Sequence, residues 1–267
     1  MCRLRLVMKK APSQLPWLEP HEAFPEVNLA WDQHDPAPGL LAAGGALDVP
    51  TLVAAYSHGI FPWFSDGQPV LWWSPDPRMV LQTNDFKLHR SLRKTLHRFI
   101  ESPGCKIRFD FAFQQVIEAC ASTPRGAQAG TWIVPSMVSA YRELHAAGKA
   151  HSIEVWINNM LVGGLYCVNL GRMVFGESMF SHQSDASKIA LCALVAFCRA
   201  HHMPMIDCQQ ATGHLASLGA QVVDRSDFLT HVRQMLDHTA PCWEFKNIYW
   251  NSVLHTRQLP EINAIQK

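Results

Sequence analysis

HSIEVWINNMLVGGLYCVNLGRMVFGESMFSHQSDASKIALCALVAFCRAHHMPMIDCQ, residues 151–209, decides the fold. Two β-rich runs, HSIEVWIN and MLVGGLYCVNL, meet at the turn pair Asn158-Asn159, and a third, RMVFGESMFS, follows Gly171. Short turns between such runs predict an antiparallel meander. Ser184 or Asp185 then caps a long apolar helix, ASKIALCALVAFCRAHH, and MPMIDCQ reads as a short buried strand. Strand–helix–strand order there predicts a parallel pair where the sheet opens. The fold class is therefore α+β, with a mixed and mainly antiparallel sheet.

Outward from this core the elements alternate. HLASLGA reads as a short helix, QVVDR as a strand, SDFLTHVRQML as a final helix, and the tail from 252 as loosely ordered. On the N-terminal side CKIRFD is a strand, while FAFQQVIEACAS and SMVSAYRELHAAGKA are helices, the second capped at Gly148. Before them, FKLHRSLRKTLHRFI predicts a basic amphipathic helix over 86–99. Phe86, Leu88, Leu92, Leu96 and Phe99 lie along one side, and Arg90, Arg93, Lys94, His97 and Arg98 fill the rest. The change of character near Thr83 divides the chain into a small domain, 1–84, and a larger one, 85–267. In the small domain, 11–40 is irregular or short extended structure, and GLLAAGG is a turn. A helix follows over Val49–His58, with Asp48 as cap, Pro50 in its first turn and Gly59 at its end. A strand is expected at Met79–Leu81.

Composition narrows the function classes. The 267 residues are 48% apolar and 17% charged, enough for a real core. Formal net charge is +1, so attraction to a polyanion has to come from local clustering. Residues 86–108 supply that cluster, with seven of the 23 Lys and Arg residues and one acid, Glu101. It reads as a solvated helix face or as a phosphate-binding patch. The eight cysteines form no CxxC pair and no zinc-finger spacing, which predicts a reducing cytoplasm with no disulfides and no metal. The basic N-terminus lacks the apolar run of a signal peptide, and Met8 is an alternative start. No stretch is long enough for a membrane span.

Four sites can carry chemistry. Glu177 sits among Val174, Phe175, Met179 and Phe180, and a carboxylate in apolar company needs a partner or a ligand. Asp207 and Gln209, two apart on a strand, should share a face. Together they either hold an amine and take its proton or tie down a neighbouring loop. Trp132, beside Gly130, is a pocket wall or a core ring. The stretch FPWFSDGQPVLWWSPDPR, 61–78, holds five large aromatic rings that are either core or open to a ring-shaped ligand. His201-His202 suits a helix C-terminus and no metal.

FPWF, LWWSPDPR, GTWI, AHSIEVW, LVGGLY, FGESMFS, ASK, IDCQ and HLASLGA, in this order over residues 39 to 230, resemble the leucyl/phenylalanyl-tRNA–protein transferase family. The resemblance implies a C-terminal domain like the acyltransferase fold of the GNAT superfamily. It implies transfer of Leu or Phe, and less well Met, from aminoacyl-tRNA to proteins beginning with Arg or Lys. The product would be a substrate of the bacterial N-degron pathway, and no metal or other cofactor is needed. It further implies Trp63 stacking near the terminal adenosine, where a base on an aromatic ring is worth about 1–3 kcal/mol. A side-chain pocket of Trp132, Leu165, Met179 and Ile206 would follow, with Trp72 and Trp73 as core between the domains. Glu177 would hold the aminoacyl end, Asp207 with Gln209 would orient the acceptor amine, and Asp207 would be a base or an electrostatic anchor. Lys87, Arg90, Arg93, Lys94 and Arg98 would bind tRNA phosphates without reading sequence. A monomer is the favoured unit. The rival readings are a CoA-dependent N-acyltransferase and a non-catalytic module that binds N-terminal Arg or Lys. The first is disfavoured because SHQSDASK has no glycine for a pyrophosphate loop.

Overall fold

The computed structural model describes residues 14–123 and 133–254. The chain begins with β1 (Trp17–Leu18), β2 (Leu40–Gly44), α1 (Val49–Ser57), β3 (Phe61–Pro62), β4 (Leu71–Trp73) and β5 (Arg78–Gln82). It continues with α2 (Arg90–Glu101), β6 (Cys105–Phe109), α3 (Phe113–Ser122), α4 (Pro135–Ala146), β7 (Ala150–Ile157), β8 (Met160–Leu170) and β9 (Met173–Ser181). Then come α5 (Ala186–Ala200), β10 (Met205–Gln209), α6 (Gly213–Ser217), β11 (Gln221–Val223), α7 (Arg225–Leu236) and α8 (Asn251–Leu254).

Two sheets result. The smaller has the order β1-β2-β4-β3 and the larger β11-β5-β10-β9-β8-β7-β6. In the larger sheet β9 and β10 run parallel, with α5 as their crossover, and the other neighbours are antiparallel. The meander forms as its turns dictate: Asn158 and Asn159 both adopt left-handed backbone, φ 49° and 61°, the geometry of a tight hairpin. The mixed, mainly antiparallel sheet is the one expected.

Three local expectations differ from the structure. Asp185 occupies the N-cap position of α5, but its carboxylate binds Lys188 Nζ at 2.8 Å instead of a backbone N–H. The basic helix starts at Arg90, because Lys87 N donates to Leu218 O at 2.9 Å and lays 86–89 across the end of α6. GLLAAGG contains the buried strand β2, held by pairing with β4 and by Trp72 Nε1 donating to Gly44 O at 2.9 Å. The α1 cap is as expected, with Thr51 N donating to Asp48 Oδ1 at 3.0 Å.

Sheet membership changes between Trp73 and Arg78, ahead of residue 84, because β5 lies inside the larger sheet between β11 and β10. One core joins the smaller sheet, α1, α3, α4 and α7 to one face of the larger sheet, with Trp72 fully buried in it. A second core fills the opposite face under α2, α5 and α8. Among the described residues no helix is long and apolar enough to cross a membrane, and no cluster of His, Cys, Asp and Glu is arranged for a metal ion. Of the tail expected to be loose from 252, residues 252–254 instead belong to α8, with Val253 buried, and 255–267 lie outside the described residues.

Candidate active site

β9 and β10 pair at only two positions, Val174 with Ile206 and Phe175 with Asp207, before they separate. Each strand carries a bulge at the point of separation. On β9, Glu177 is the extra residue between the pairs Cys167–Gly176 and Tyr166–Ser178. On β10, Cys208 is the extra residue between Asp207–Val80 and Gln209–Met79. Bulges bend a strand and re-aim its side chains. A cleft of about 660 Å³ opens here, and Glu177, Asp207 and Gln209 all line it.

The bulge corrects the expectation that Asp207 and Gln209 share a face. Gln209 has left-handed backbone, φ 61°, which breaks the two-residue repeat. Asp207 turns into the protein and is fully buried. Its Oδ1 accepts from Arg78 Nε at 2.8 Å and from Gln209 N at 2.9 Å, and its Oδ2 accepts from Arg78 Nη2 at 2.6 Å. The Gln209 side chain goes the other way, and Nε2 donates to Glu177 Oε1 at 3.0 Å. Arg78 is itself fully buried between the rings of Phe61 and Phe228, 4.8 and 4.6 Å from its guanidinium carbon.

Glu177 is 9% exposed. Tyr141 Oη donates to its Oε2 at 3.2 Å, and Tyr56 Oη is hydrogen-bonded to Tyr141 Oη. Burial pushes the Glu177 carboxyl up to about 8. The Asp207 charge adds to this, while the tyrosine hydroxyls and Arg78 oppose it. At that value Glu177 is largely protonated at neutral pH. Burial and the nearby Glu177 raise both tyrosine hydroxyls well above their usual value, so they serve as donors and not as acids.

The apolar walls come from Leu165, Met179 and Ile206, and from Leu191, Leu194 and Leu215, which sequence reading did not single out. At the rim, half-buried Trp63 packs on Trp73 with ring centroids 5.2 Å apart, and Trp73 Nε1 donates to Trp63 O at 2.6 Å. The leucyl/phenylalanyl-tRNA protein transferase family model matches residues 80–233, and the model of that family's N-terminal domain matches 45–76. The chain belongs to this family.

A leucyl/phenylalanyl-tRNA–protein transferase of Polaromonas sp. strain JS666 is 66% identical over 92% of this chain and 97% of its own length. One of Albidiferax ferrireducens strain T118 is 59% identical over the same shares. Among solved structures, FemX aligns over 65% of this chain and 66% of its own, with 10% identity and a TM-score of 0.43.

Within this family member, Lys87, Arg90, Lys94 and Arg98 are exposed. Arg93 is half-buried, and its Nη1 donates to Leu254 O, which ties α2 to α8. The start of α2 abuts the cleft: His89 Nε2 is hydrogen-bonded to Ser217 O at 2.7 Å on α6, and His214 and Leu215 of α6 line the opening. Trp132 lies outside the described residues. The residues that sequence reading missed are Arg78, Tyr56 and Tyr141. A signal for Arg78 existed, since a buried Asp207 requires a counter-charge and LWWSPDPR ends in one beside a predicted strand. Tyr56 and Tyr141 carried none, because a tyrosine on the apolar side of a helix reads as core.

Proposed function

We propose that this protein transfers Leu, Phe and, less well, Met from aminoacyl-tRNA to the N-terminal α-amine of proteins beginning with Arg or Lys, marking them for N-degron degradation in the cytoplasm. The observation that carries this reading is one cleft with three parts. Apolar walls fit a side chain, the Gln209–Glu177 pair faces them, and an exposed basic helix abuts the opening. The relatives are named leucyl/phenylalanyl-tRNA–protein transferases, which supports transfer of Leu and Phe from tRNA to protein.

The reaction is aminolysis of an ester. The acceptor nitrogen attacks the aminoacyl carbonyl carbon, the N–C bond forms and the C–O bond to the ribose breaks. The proton lost by the amine passes to the ribose oxygen, which leaves as a hydroxyl. Leu165, Met179 and Ile206 hold the aminoacyl side chain. The unbranched Met179 lets Leu and Phe both fit. Glu177 receives the aminoacyl α-amine. An ammonium beside a carboxyl favours its ionised form, so seating the aminoacyl end drives a proton off Glu177. Asp207 is an anchor and not a base, because both its oxygens already accept from Arg78 and Gln209 N. Trp63 stacks on the terminal adenosine, and Lys87, Arg90, Lys94 and Arg98 take phosphates. Holding two substrates side by side supplies part of the rate.

The test uses tRNA charged with labelled Leu and two peptides that differ only in beginning with Arg or Ala. Label should reach the Arg peptide alone. No label on either, with the protein folded, would leave the binding-module reading.

A further inference from the structure

We infer that Arg78 is a positioning residue for the transfer: through Asp207 it sets the backbone of Gln209 and so aims the Gln209 carboxamide at Glu177. This rests on the transferase reading of the same cleft. The chain of contacts is continuous. Arg78 grips both oxygens of Asp207 in a fork, Asp207 Oδ1 accepts from Gln209 N, and Gln209 Nε2 donates to Glu177 Oε1, with every step between 2.6 and 3.0 Å. A non-glycine residue with left-handed backbone is uncommon and needs its surroundings to hold it. At Gln209 the Asp207 carboxylate does so by binding its N–H.

Arg78 is itself fixed from three sides. Phe61 and Phe228 cover its two faces, and Nη1 donates to Gly59 O at 3.1 Å. Gly59 has φ 70°, and a Cβ there would lie 2.5 Å from Leu229 and 2.9 Å from Phe228, so the carbonyl reaches Arg78 only because residue 59 is glycine. A buried ion pair adds little to stability over an apolar pair of similar size. What this pair supplies is geometry: a carboxylate whose two oxygens have fixed directions. Lys at position 78 keeps the charge but loses the fork.

The test is a single-turnover measurement with Leu-tRNA prebound and an Arg-starting peptide added. It compares wild type, Arg78→Lys, Asp207→Asn and the double variant. Arg78→Lys should lower the single-turnover rate constant about tenfold or more at unchanged amplitude. In the Asp207→Asn background it should slow the reaction no further, because both changes cut the same chain. A merely structural arginine would lower the amplitude and leave the rate constant alone, and that result overturns the inference. So does a double variant whose defects multiply. If Arg78→Lys does not fold, the combined Arg78→Met, Asp207→Leu variant replaces the ion pair with packed apolar groups. It should be folded and slow, and a folded variant with the wild-type rate constant overturns the inference. Failure of wild type to transfer at all would count against the transferase reading instead.

Discussion

The floor and the rim of the cleft are built on opposite terms. At the floor, Arg78 and Asp207 are fully buried and bind each other through two charged hydrogen bonds. At the rim Trp63 is half-covered, and on the neighbouring segment Lys87, Arg90, Lys94 and Arg98 stand in solvent. Glu177 lies between, almost buried and held by tyrosine hydroxyls and an amide. Floor groups fix geometry and use most of their donors and acceptors inside the protein. Rim groups have capacity and little geometry. The two conditions meet at Gln209 and Glu177, where the proposed transfer would take place.

Substitutions should separate the two. Asp207→Ala leaves a buried guanidinium without its partner, which should destabilise the fold by about 3–5 kcal/mol and lower turnover at least about tenfold. Thermal melting and turnover of the folded fraction check this. A variant with wild-type melting temperature would show that the floor is not closed.

Glu177→Gln comes next. The folded carboxyl titrates at about 8, above its unfolded value near 4.5. The protonated form is therefore the one that suits the fold. Wild-type stability is full below the lower value and falls as pH rises towards the upper one. The variant should gain on wild type across that window by a few kcal/mol, on the order of what a shift of this size implies, and no further above it. Denaturant melts at a series of pH values read this out. Near pH 7, wild type should also release a proton on binding an aminoacyl-adenosine analogue, seen by calorimetry in buffers of different ionisation heat. The Gln variant should release none.

Rim changes should act on binding and spare the fold. Replacing Arg90, Lys94 and Arg98 by Ala should flatten the salt dependence of tRNA binding, with the log–log slope falling by about 2 to 3 if each meets a phosphate. Arg93→Ala should leave that slope alone and loosen α8, since its guanidinium already holds Leu254 O. Trp63→Ala should be the smallest effect, about 1 kcal/mol of aminoacyl-tRNA affinity, at the low end for a stacked base because one face of the ring already meets Trp73. A loss of melting temperature in either rim variant would erase the contrast with the floor.

What was legible in the sequence follows the same division. The meander, its crossover helix and the parallel strand could be read because local turns, caps and apolar runs specify them. β1 to β4 could not, because strands of two to five residues depend on partners distant in sequence, such as Trp72 on Gly44. The groups Glu177, Asp207 and Gln209 were legible as polar residues in apolar company. Their wiring was not, because a regular strand was assumed where β9 and β10 both bulge. Arg78 was hidden by its 129-residue separation from Asp207.

That separation also orders events during synthesis. β5 leaves the ribosome early, yet both its neighbours, β10 and β11, are among the last strands made. Until they arrive, the strand carrying Arg78 has two open edges and its guanidinium has no carboxylate. Contacts this distant in sequence form slowly, and an unpaired strand invites the wrong partner. The chain therefore completes the floor of its cleft only near the end of translation, and a product that ends before β10 lacks it.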